Sequence, residues 1–366
     1  MAATKLPETF LVEDRTYSRE ELVAYSAGMA ADQSQPGWRR GLFDFIRAFL
    51  NEPEGEILQK TSGTTGDPGL LHLKRSSMIR SAEMTLQFFH LRARERVLLC
   101  LPIRYIAGKM MVVRALVGGL NLVPVEPTSR PMKKASGIFR FAAMVPLQLH
   151  ESVRNGDPLA EVEQLLIGGG EVHPSLRREL EILERPDIYE SFAMTETYSH
   201  FALKRINGEK PDEDFRLLEG VRISRDERGC LVVDIQGVTD SAVVTGDLVE
   251  ITGDGKGFRW HGRVDNVIKS GGMKIIPELL EQRIGQWLKM SCLILPEEDP
   301  RLGQRTVLMV ETRDQPVRME AWMEILRRNL PGHEFPGRIV TVREIPRNPS
   351  FKPDRKAAVA LIGPDY

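Results

Sequence analysis

Residues 59–69 read Gln-Lys-Thr-Ser-Gly-Thr-Thr-Gly-Asp-Pro-Gly, between a predicted strand at Glu56 to Lys60 and a helix that begins near Arg75. Glycines let successive backbone N–H groups converge on an anion, and the Ser and Thr hydroxyls add further donors. The Gly-Lys-Ser/Thr ending that defines a Walker loop is missing. By itself this segment fits a phosphate-binding loop or an ordinary surface loop equally well, so the surrounding chain decides between them.

Predicted helices and apolar strands alternate after this loop. Helix Ser76 to Phe89 precedes the buried-type strand Arg96 to Leu101, and helix Ile106 to Val117 precedes strand Asn121 to Val125. The same alternation continues as far as Phe192. It predicts an α/β fold with mainly parallel strands, whose ligands lie beyond the carboxyl ends of the strands.

The pattern changes near Phe215, where short strands with Gly- and Asp-rich turns predict an antiparallel or barrel-like portion. After Gly262-Arg263 the chain returns to strands mixed with helices. This C-terminal part has about a hundred residues, a reasonable size for a small domain. We therefore expect a large N-terminal domain at residues 1–262 and a small α+β domain at residues 263–366.

Composition indicates a globular protein without a polyanionic partner. The 366 residues carry 50 Lys plus Arg and 51 Asp plus Glu, so no net charge attracts nucleic acid or an anionic membrane. The longest apolar run, residues 110–120, contains Arg114 and is too short to span a bilayer. Three widely spaced cysteines predict free thiols in a reducing compartment, and the first ten residues predict no secretory signal, so we expect a cytoplasmic protein.

Two further stretches follow predicted strands and carry groups that suit a nucleotide. Gly168-Gly169-Gly170 is either a tight turn or a place where a flat ring lies against bare backbone. Thr195-Glu196 is either an exposed turn or a phosphate site with a carboxylate for Mg²⁺, which prefers oxygen ligands and bridges phosphates.

Three more stretches lie in the second half of the chain. Asp247, in the turn Thr245-Gly246-Asp247, could accept hydrogen bonds from both ribose hydroxyls. The segment from Gly262 to Glu278 combines Arg263 with a Gly271-Gly272 pair, a cluster that a surface hairpin does not explain. Lys352 lies in a basic, turn-like segment, from which a lysine can neutralise developing negative charge.

Taken together and in this order, these stretches resemble the adenylate-forming superfamily, which includes acyl-CoA synthetases, peptide-synthetase adenylation domains and luciferases. The match spans residues 57–356 and comprises six ordered motifs. The resemblance implies that ATP, Mg²⁺ and coenzyme A are used. It also implies the fold of that superfamily, a large α/β domain with a barrel-like portion and a small mobile C-terminal domain that turns about a hinge near Asp265.

The resemblance further implies a role for each motif residue. Thr195 would bind phosphate, Glu196 would be the magnesium ligand, and Lys352 would be the catalytic lysine. Asp247 would bind the ribose, and Arg263 would contact the nucleotide. The other predicted contacts are glycines and hydroxyls: Thr61, Ser62, Gly63, Thr64, Thr65 and Gly66 in the phosphate loop, Gly168, Gly169 and Gly170 beside the adenine, and Gly271 and Gly272 on the face that meets the thiol acceptor.

Two departures from the superfamily pattern are visible. The phosphate loop ends Asp67-Pro68-Gly69 where a lysine is usual, so its mobile cation is absent. Lys60, Lys74 or Arg75 could compensate, or the loop could hold pyrophosphate less firmly. Phe351 replaces the usual glycine before Lys352, which could alter how that lysine enters the cleft.

The short N-terminal part is similar to that of the o-succinylbenzoate-CoA ligases of menaquinone biosynthesis. Residues 101–109 and 113–116 resemble that subfamily's Leu-Pro-x-x-x-Ile-x-Gly and Arg-Ala-Leu segments, and residues 145–149 resemble Val-Pro-x-Gln-Leu. Tyr105 occupies the aromatic or histidine position of the first segment. The implied substrate is an aromatic dicarboxylate whose second carboxylate needs a cation, and Arg104 and Lys109 are the candidates; each could also be a solvated charge at a helix end.

The implied reaction joins the acid to coenzyme A through an acyl adenylate. Two alternatives remain: another aryl- or acyl-CoA ligase, and a nucleotide-binding homologue without turnover. The second would explain the missing loop lysine but not the presence of Thr195, Glu196, Asp247, Arg263 and Lys352 together.

Overall fold

The computed structural model describes residues 6–51, 55–60, 70–170, 172, 174–313, 316–348 and 353–363. The chain divides into two compact units. One contains the residues up to 170 together with 180–222 and 233–243, and the other contains 171–179, 223–232 and the chain from 244 onward. The predicted domain boundary between residues 262 and 263 stays a prediction.

The chain begins with a small hairpin followed by two packed helices. Their bounds are β1 Thr9–Val12, β2 Arg15–Ser18, α1 Arg19–Ala31 and α2 Gly37–Asn51. Helix α1 starts at a capping box, in which the Ser18 hydroxyl accepts from the Glu21 N–H and the Glu21 carboxylate accepts from the Ser18 N–H. These reciprocal bonds satisfy two N–H groups that a helix start leaves unpaired.

A second hairpin follows, and the sequence predicted only the first of its two strands. Strand β3, Glu56–Lys60, pairs antiparallel with β4, Leu70–Lys74, and helix α3, Arg75–Phe88, follows directly. The sequence predicted β3 and α3 but not β4. Residues 61–69, which connect the two strands and contain the predicted phosphate loop, lie outside the described residues.

The remaining elements of the first sheet follow in alternation. They are β5 Arg96–Leu99, α4 Ile106–Gly118, β6 Asn121–Pro124, β7 Phe139–Met144, α5 Pro146–Arg154, β8 Val162–Ile167, α6 Pro174–Glu181, β9 Asp187–Ala193, β10 His200–Arg205 and β11 Phe215–Leu217. In the first unit the strand order is β11-β10-β9-β8-β7-β5-β6-β1-β2. Strands β9, β8, β7, β5, β6 and β1 are parallel to one another, as predicted.

This parallel sheet explains why its strands read as continuous apolar runs. Val97, Leu98, Phe141 and Leu165 are completely buried, as expected where both faces of a sheet are covered. Because the strands are parallel, the segments that follow β5, β7, β8 and β9 emerge at one edge of the sheet.

Helix α4 is thirteen residues long and buried over its central part. At 1.5 Å per residue it measures about 20 Å, less than the roughly 30 Å of a bilayer core. In the part of the chain that the structure describes, no helix has the length and apolar character needed to cross a membrane.

The region predicted to be barrel-like consists of consecutive strands. They are β12 Val221–Arg225, β13 Cys230–Ile235, β14 Val243–Ile251 and β15 Gly257–Arg263. Strands β14 and β15 form a hairpin whose register shifts between Leu248 and Val249. No closed barrel is formed within the described residues.

The C-terminal residues form a five-stranded sheet with a helix layer on each face. The elements are β16 Ile268–Ser270, β17 Met273–Ile275, α7 Pro277–Leu288, β18 Ser291–Asp299, β19 Gly303–Glu311, α8 Met319–Asn329, β20 Arg338–Val342 and α9 Arg355–Ile362. Apolar residues of α7 and α8 pack on one face, and those of α9 pack on the other. The predicted mixture of strands and helices in this part is confirmed.

Candidate functional site

Two of the predicted motifs follow neighbouring parallel strands. Strand β8 ends immediately before Gly168, and β9 ends shortly before Thr195. The two strands are in register, with Ile167 opposite Glu190. The glycine run and the Thr195-Glu196 segment therefore emerge from adjacent positions at the same sheet edge.

The glycine run is packed so closely that larger residues would collide. The Gly168 N–H donates to the Met144 carbonyl at 3.1 Å, and a Cβ on Gly168 would lie 2.9 Å from the Ser191 hydroxyl. Gly169 has a φ of +78°, and its Cβ would lie 3.3 Å from a methyl group of Val145. Bare backbone at this position leaves room for a flat ring, and contact with the adenine stays a prediction.

The loop after β9 is organised by Thr197, which is almost completely buried. Its hydroxyl accepts from the Met194 N–H at 3.2 Å and lies 2.8 Å from the Ser199 carbonyl, to which it donates. These bonds close the loop on itself. The neighbouring Thr195 and Glu196 stay half-buried and exposed, respectively, which leaves their side chains available to a ligand.

Glu196 fits a magnesium ion that arrives bound to phosphate. Among the described residues, no three His, Cys, Asp or Glu side chains form a metal site by themselves. Mg²⁺ does not need such a cluster, because it commonly takes one or two carboxylates together with substrate phosphates and water. A single exposed carboxylate beside Thr195, the predicted phosphate contact, would meet that requirement.

Two of the three cations offered as substitutes for the missing loop lysine have other partners. The Lys74 ammonium lies 2.7 Å from both carboxylate oxygens of Asp240, and this hydrogen bond raises the pKa of Lys74. Arg75 is buried and donates to the Phe49 carbonyl at 2.8 Å, and burial lowers its pKa. The side chain of Lys60 lies outside the described residues.

The three predicted substrate-binding residues follow β5 at the same sheet edge. The Arg104 guanidinium lies 4.9 Å from the centre of the Tyr105 ring, and both side chains are exposed. The Lys109 ammonium donates to the Gln59 side-chain oxygen at 2.6 Å, and burial lowers the pKa of Lys109. Gln59 in turn donates to the Arg104 carbonyl at 3.1 Å, so it connects the two predicted cations.

A buried cation, Arg114, contacts the loop that contains Thr195 and Glu196 through Ser199. Arg114 on α4 is 2% exposed and donates to the Thr85 hydroxyl at 3.1 Å and to the Ser199 hydroxyl at 2.5 Å. His200 lies 3.5 Å from the same guanidinium. Burial lowers the pKa of Arg114 to about 9, which leaves it charged at neutral pH. Burial, and then the charge of Arg114, hold the pKa of His200 well below its usual value, so the imidazole is neutral.

No carboxylate pairs with Arg114 within the described part of the chain. A buried guanidinium without a counter-ion is costly, which makes it a candidate for binding an anion. The sequence analysis used Arg114 only as part of the Arg-Ala-Leu segment and did not assign it to the site. The available signal was a charged residue inside the apolar run at residues 110–120.

Two subfamily motif residues have structural roles. A Cβ on Gly108 would lie 2.4 Å from the Pro102 carbonyl oxygen, so the Gly of the first segment permits α4 to pack on the preceding loop. Gln148, from the Val-Pro-x-Gln-Leu segment, accepts from the Val145 N–H and donates to the carbonyls of Cys100 and Thr128. These bonds fix Val145, whose methyl group would lie 3.3 Å from a Cβ on Gly169.

In the second unit, Asp247 and Arg263 lie directly opposite each other on β14 and β15. Asp247 is buried, and one of its carboxylate oxygens accepts from the Trp260 indole N–H at 3.0 Å. The other oxygen lies 3.6 Å from the Arg263 guanidinium, which also donates to Asp265 at 3.1 Å. A carboxylate fixed in this way presents an acceptor for a sugar hydroxyl, and Trp260 is a contributor that the sequence analysis missed.

The Gly271-Gly272 pair forms the two-residue turn between β16 and β17. Both glycines have positive φ angles, +55° and +83°, which a tight hairpin of this kind requires. The Gly271 N–H donates to the Leu302 carbonyl at 2.9 Å, which holds the turn against the loop before β19. Both glycines are exposed, and their contact with the thiol acceptor stays a prediction.

Lys352 lies outside the described residues, as do residues 349–351. The residues on either side are joined, since Arg347 and Pro353 form a β-bridge and the Asp354 N–H donates to the Pro346 carbonyl at 2.8 Å. Arg355 at the start of α9 donates to the Ile294 carbonyl and to Glu281, each at 2.8 Å. The base of the predicted catalytic loop is therefore attached to the C-terminal sheet.

Comparison with known proteins agrees with these motifs. The family described as AMP-binding enzyme matches residues 52–249, more than half of the chain. A protein of Mycobacterium tuberculosis named as a probable 2-succinylbenzoate–CoA ligase is 28% identical over 345 residues, covering 83% of each chain.

Two solved structures extend the comparison. An acyl-CoA synthetase (AMP-forming)/AMP-acid ligase II-like protein from Dyadobacter fermentans is 31% identical, with a TM-score of 0.63, over 95% of this chain and 99% of that one. The o-succinylbenzoate CoA synthetase MenE from Bacillus subtilis, in complex with its acyl-adenylate intermediate, has a TM-score of 0.73 at 17% identity, over 96% of this chain and 95% of that one. This second likeness concerns the fold.

The predicted α/β fold and the predicted superfamily are confirmed by these comparisons. The chain belongs to the AMP-binding enzyme family, as an AMP-forming acid–CoA ligase that uses ATP, Mg²⁺ and coenzyme A.

Proposed function

We propose that this enzyme converts 2-succinylbenzoate to its CoA thioester, a step of menaquinone biosynthesis, in the cytoplasm. The name of the Mycobacterium tuberculosis relative supports this substrate. The three free cysteines support a reducing compartment. The structural observation that carries the proposal is the buried guanidinium of Arg114.

Arg114 would supply the cation that the second carboxylate of the substrate needs. An aromatic dicarboxylate would bring one carboxylate to the reaction and one to a cation, and burying the latter unpaired would be costly. Arg114 is a fixed cation without a carboxylate among the described residues, and it is joined to the Thr195-Glu196 loop through Ser199. Arg104 and Lys109 remain predicted contacts for this carboxylate, and we add Arg114 as a third candidate.

The residues have distinct roles in the proposed first step, in which a substrate carboxylate oxygen attacks the α-phosphorus of ATP and pyrophosphate leaves. Thr195 and the loop at Thr61–Gly66 would hold phosphate oxygens, and Glu196 would hold Mg²⁺. When bound, Mg²⁺ neutralises charge on the phosphates. Lys352 would lie between the carboxylate and the α-phosphate, where negative charge develops.

The nucleotide and the thiol acceptor would be held by the other motifs. Asp247, oriented by Trp260, would accept from the ribose hydroxyls, and Arg263 would contact the nucleotide beside it. The Gly168–Gly170 backbone would lie against the adenine. In the second step the CoA thiol attacks the acyl carbon and AMP leaves, and the Gly271-Gly272 turn would face the incoming thiol.

The rival functions are an aryl- or acyl-CoA ligase for a monocarboxylic acid and a nucleotide-binding homologue without turnover. A panel of 2-succinylbenzoate, benzoate and a fatty acid separates them, when pyrophosphate release is measured with and without CoA. We expect 2-succinylbenzoate to give the highest kcat/KM. Release with none of the acids would favour the homologue without turnover.

Replacement of the candidate cations tests the dicarboxylate site directly. We expect Arg114→Gln to raise KM for 2-succinylbenzoate by about 10- to 100-fold, the effect of losing one or two hydrogen bonds to a charged group, with little change in KM for benzoate. Arg104→Gln and Lys109→Met test the other two candidates in the same assay. If one of these variants shows the selective effect and Arg114→Gln does not, that residue holds the second carboxylate.

A further inference from the structure

A single side chain, Tyr198, joins two segments that carry predicted phosphate contacts. Its phenol oxygen accepts from the backbone N–H of Lys74 at 3.2 Å, although the two residues are 124 positions apart. Lys74 is the last residue of β4, so this contact reaches the hairpin β3–β4. Tyr198 itself lies three residues after Thr195 and two after Glu196.

The backbone of Tyr198 is in an uncommon conformation. Its φ of +65° lies in the left-handed region, which bulky residues rarely adopt and which persists only where surrounding contacts enforce it. The Tyr198 N–H donates to the Thr195 carbonyl at 3.0 Å, and the side chain is buried, with 8% of its surface exposed. The loop therefore turns sharply at this residue and directs the ring toward Lys74.

The hydrogen bonds of Thr197 and Ser199 serve the loop itself and its contact with α4. The Thr197 hydroxyl bonds to Met194 and Ser199, within the loop, and the Ser199 hydroxyl bonds to Arg114 on α4. Among the described residues, Tyr198 provides the side-chain hydrogen bond from the Thr195-Glu196 loop to the hairpin. Removing its hydroxyl would release this loop from the hairpin without altering Thr195 or Glu196 themselves.

We propose that Tyr198 is a positioning residue for MgATP, because it fixes the Thr195-Glu196 loop relative to the hairpin β3–β4. The inference rests on the proposed function, in which Thr195 and Glu196 hold phosphate and Mg²⁺. Since the contact does not involve the acid, its loss should affect the nucleotide selectively.

Tyr198→Phe tests the proposal, because phenylalanine keeps the buried ring and removes only the acceptor oxygen. We expect KM for MgATP to rise about threefold to tenfold, the effect of one hydrogen bond, with KM for the acid unchanged within about twofold. Calorimetric titration with MgATP should show the same loss in affinity, and titration with ATP in excess chelator should show a smaller one.

Tyr189→Phe is the matched control. Tyr189 lies on β9, the strand that leads into the same loop, and its ring packs against Phe88 and Phe89 in contacts that phenylalanine retains. We expect this variant to bind MgATP as the unaltered protein does.

The outcomes separate this inference from the proposed function. If the unaltered protein binds MgATP and Tyr198→Phe binds it equally well, or if KM for the acid rises as much as KM for MgATP, Tyr198 does not position the nucleotide. If the unaltered protein does not bind MgATP, the proposed function fails together with the inference.

Discussion

Arg114 and His200 form a buried pair in which a positive charge lies beside a neutral imidazole. The depressed pKa of His200 makes the stability of the first unit depend on pH. In the unfolded chain His200 takes up a proton near its ordinary pKa of about 6.5, whereas in the folded protein it does not. The unfolded state therefore gains stability as the pH falls below about 6.5.

We predict that the free energy of unfolding decreases by about 1.4 kcal/mol per pH unit below pH 6.5 because of this residue. His200→Gln should remove that part of the slope, measured by urea unfolding between pH 5.5 and 7.5. His72→Gln serves as the control, because His72 is exposed and lies 2.8 Å from Glu56. An unchanged slope in His200→Gln would mean that His200 is protonated in the folded protein.

The sequence predicted Asp247 and Arg263 as nucleotide contacts but not Trp260, which orients Asp247. Asp247 and Arg263 are recognisable because each lies in a motif of fixed composition. Trp260 contacts Asp247 because the β14–β15 register shifts between Leu248 and Val249. Such an irregularity depends on the pairing of two strands, and no local pattern in either strand reveals it.

Helices α4 and α2 each contain an interior glycine, and the surroundings of these two glycines differ. Gly108 in α4 leaves no space for a side chain, since its Cβ would lie 2.4 Å from the Pro102 carbonyl oxygen. Gly41 in α2 has nothing within 4 Å of the corresponding position. The same substitution should therefore have opposite effects in the two helices.

We predict that Gly41→Ala stabilises the protein by about 0.5–1 kcal/mol, because alanine is the better helix former. Gly108→Ala should destabilise it by about 1–3 kcal/mol, because a rigid backbone oxygen must move. Thermal unfolding of both variants provides the measurement. A stabilising effect of Gly108→Ala would show that the loop after β5 can move away from α4 without cost.

One element that the sequence analysis missed, strand β4, has little burial. Strands β5, β7 and β8 were predicted because a sheet covered on both faces requires continuous apolar runs. Strand β4 was not predicted, since Leu73 is its one fully buried residue and Leu70 is 61% exposed. A two-stranded ribbon of this kind shows neither an apolar run nor regular alternation.

For the whole molecule, the order of the motifs was more informative than any one of them. The loop at Thr61–Gly66 was compatible with a surface turn until five further motifs followed it in the order of one superfamily. Arg114, the cation proposed here to bind the second carboxylate, was less easily found from the sequence. Arg114 is distinguished by its burial and its lack of a carboxylate partner among the described residues, and both depend on how α3, α4 and β10 pack.

We propose that the C-terminal domain, from residue 263, serves both steps by turning about a hinge near Asp265, so that Lys352 acts in the first step only. Lys352→Ala should then reduce pyrophosphate release by orders of magnitude, because the charge that develops between carboxylate and α-phosphate loses its cation. Thioester formation from a supplied acyl adenylate and CoA should continue. Lys356→Ala removes an exposed lysine four residues away and should leave both steps unchanged. Equal losses in the two steps for Lys352→Ala would exclude a lysine that is withdrawn between them.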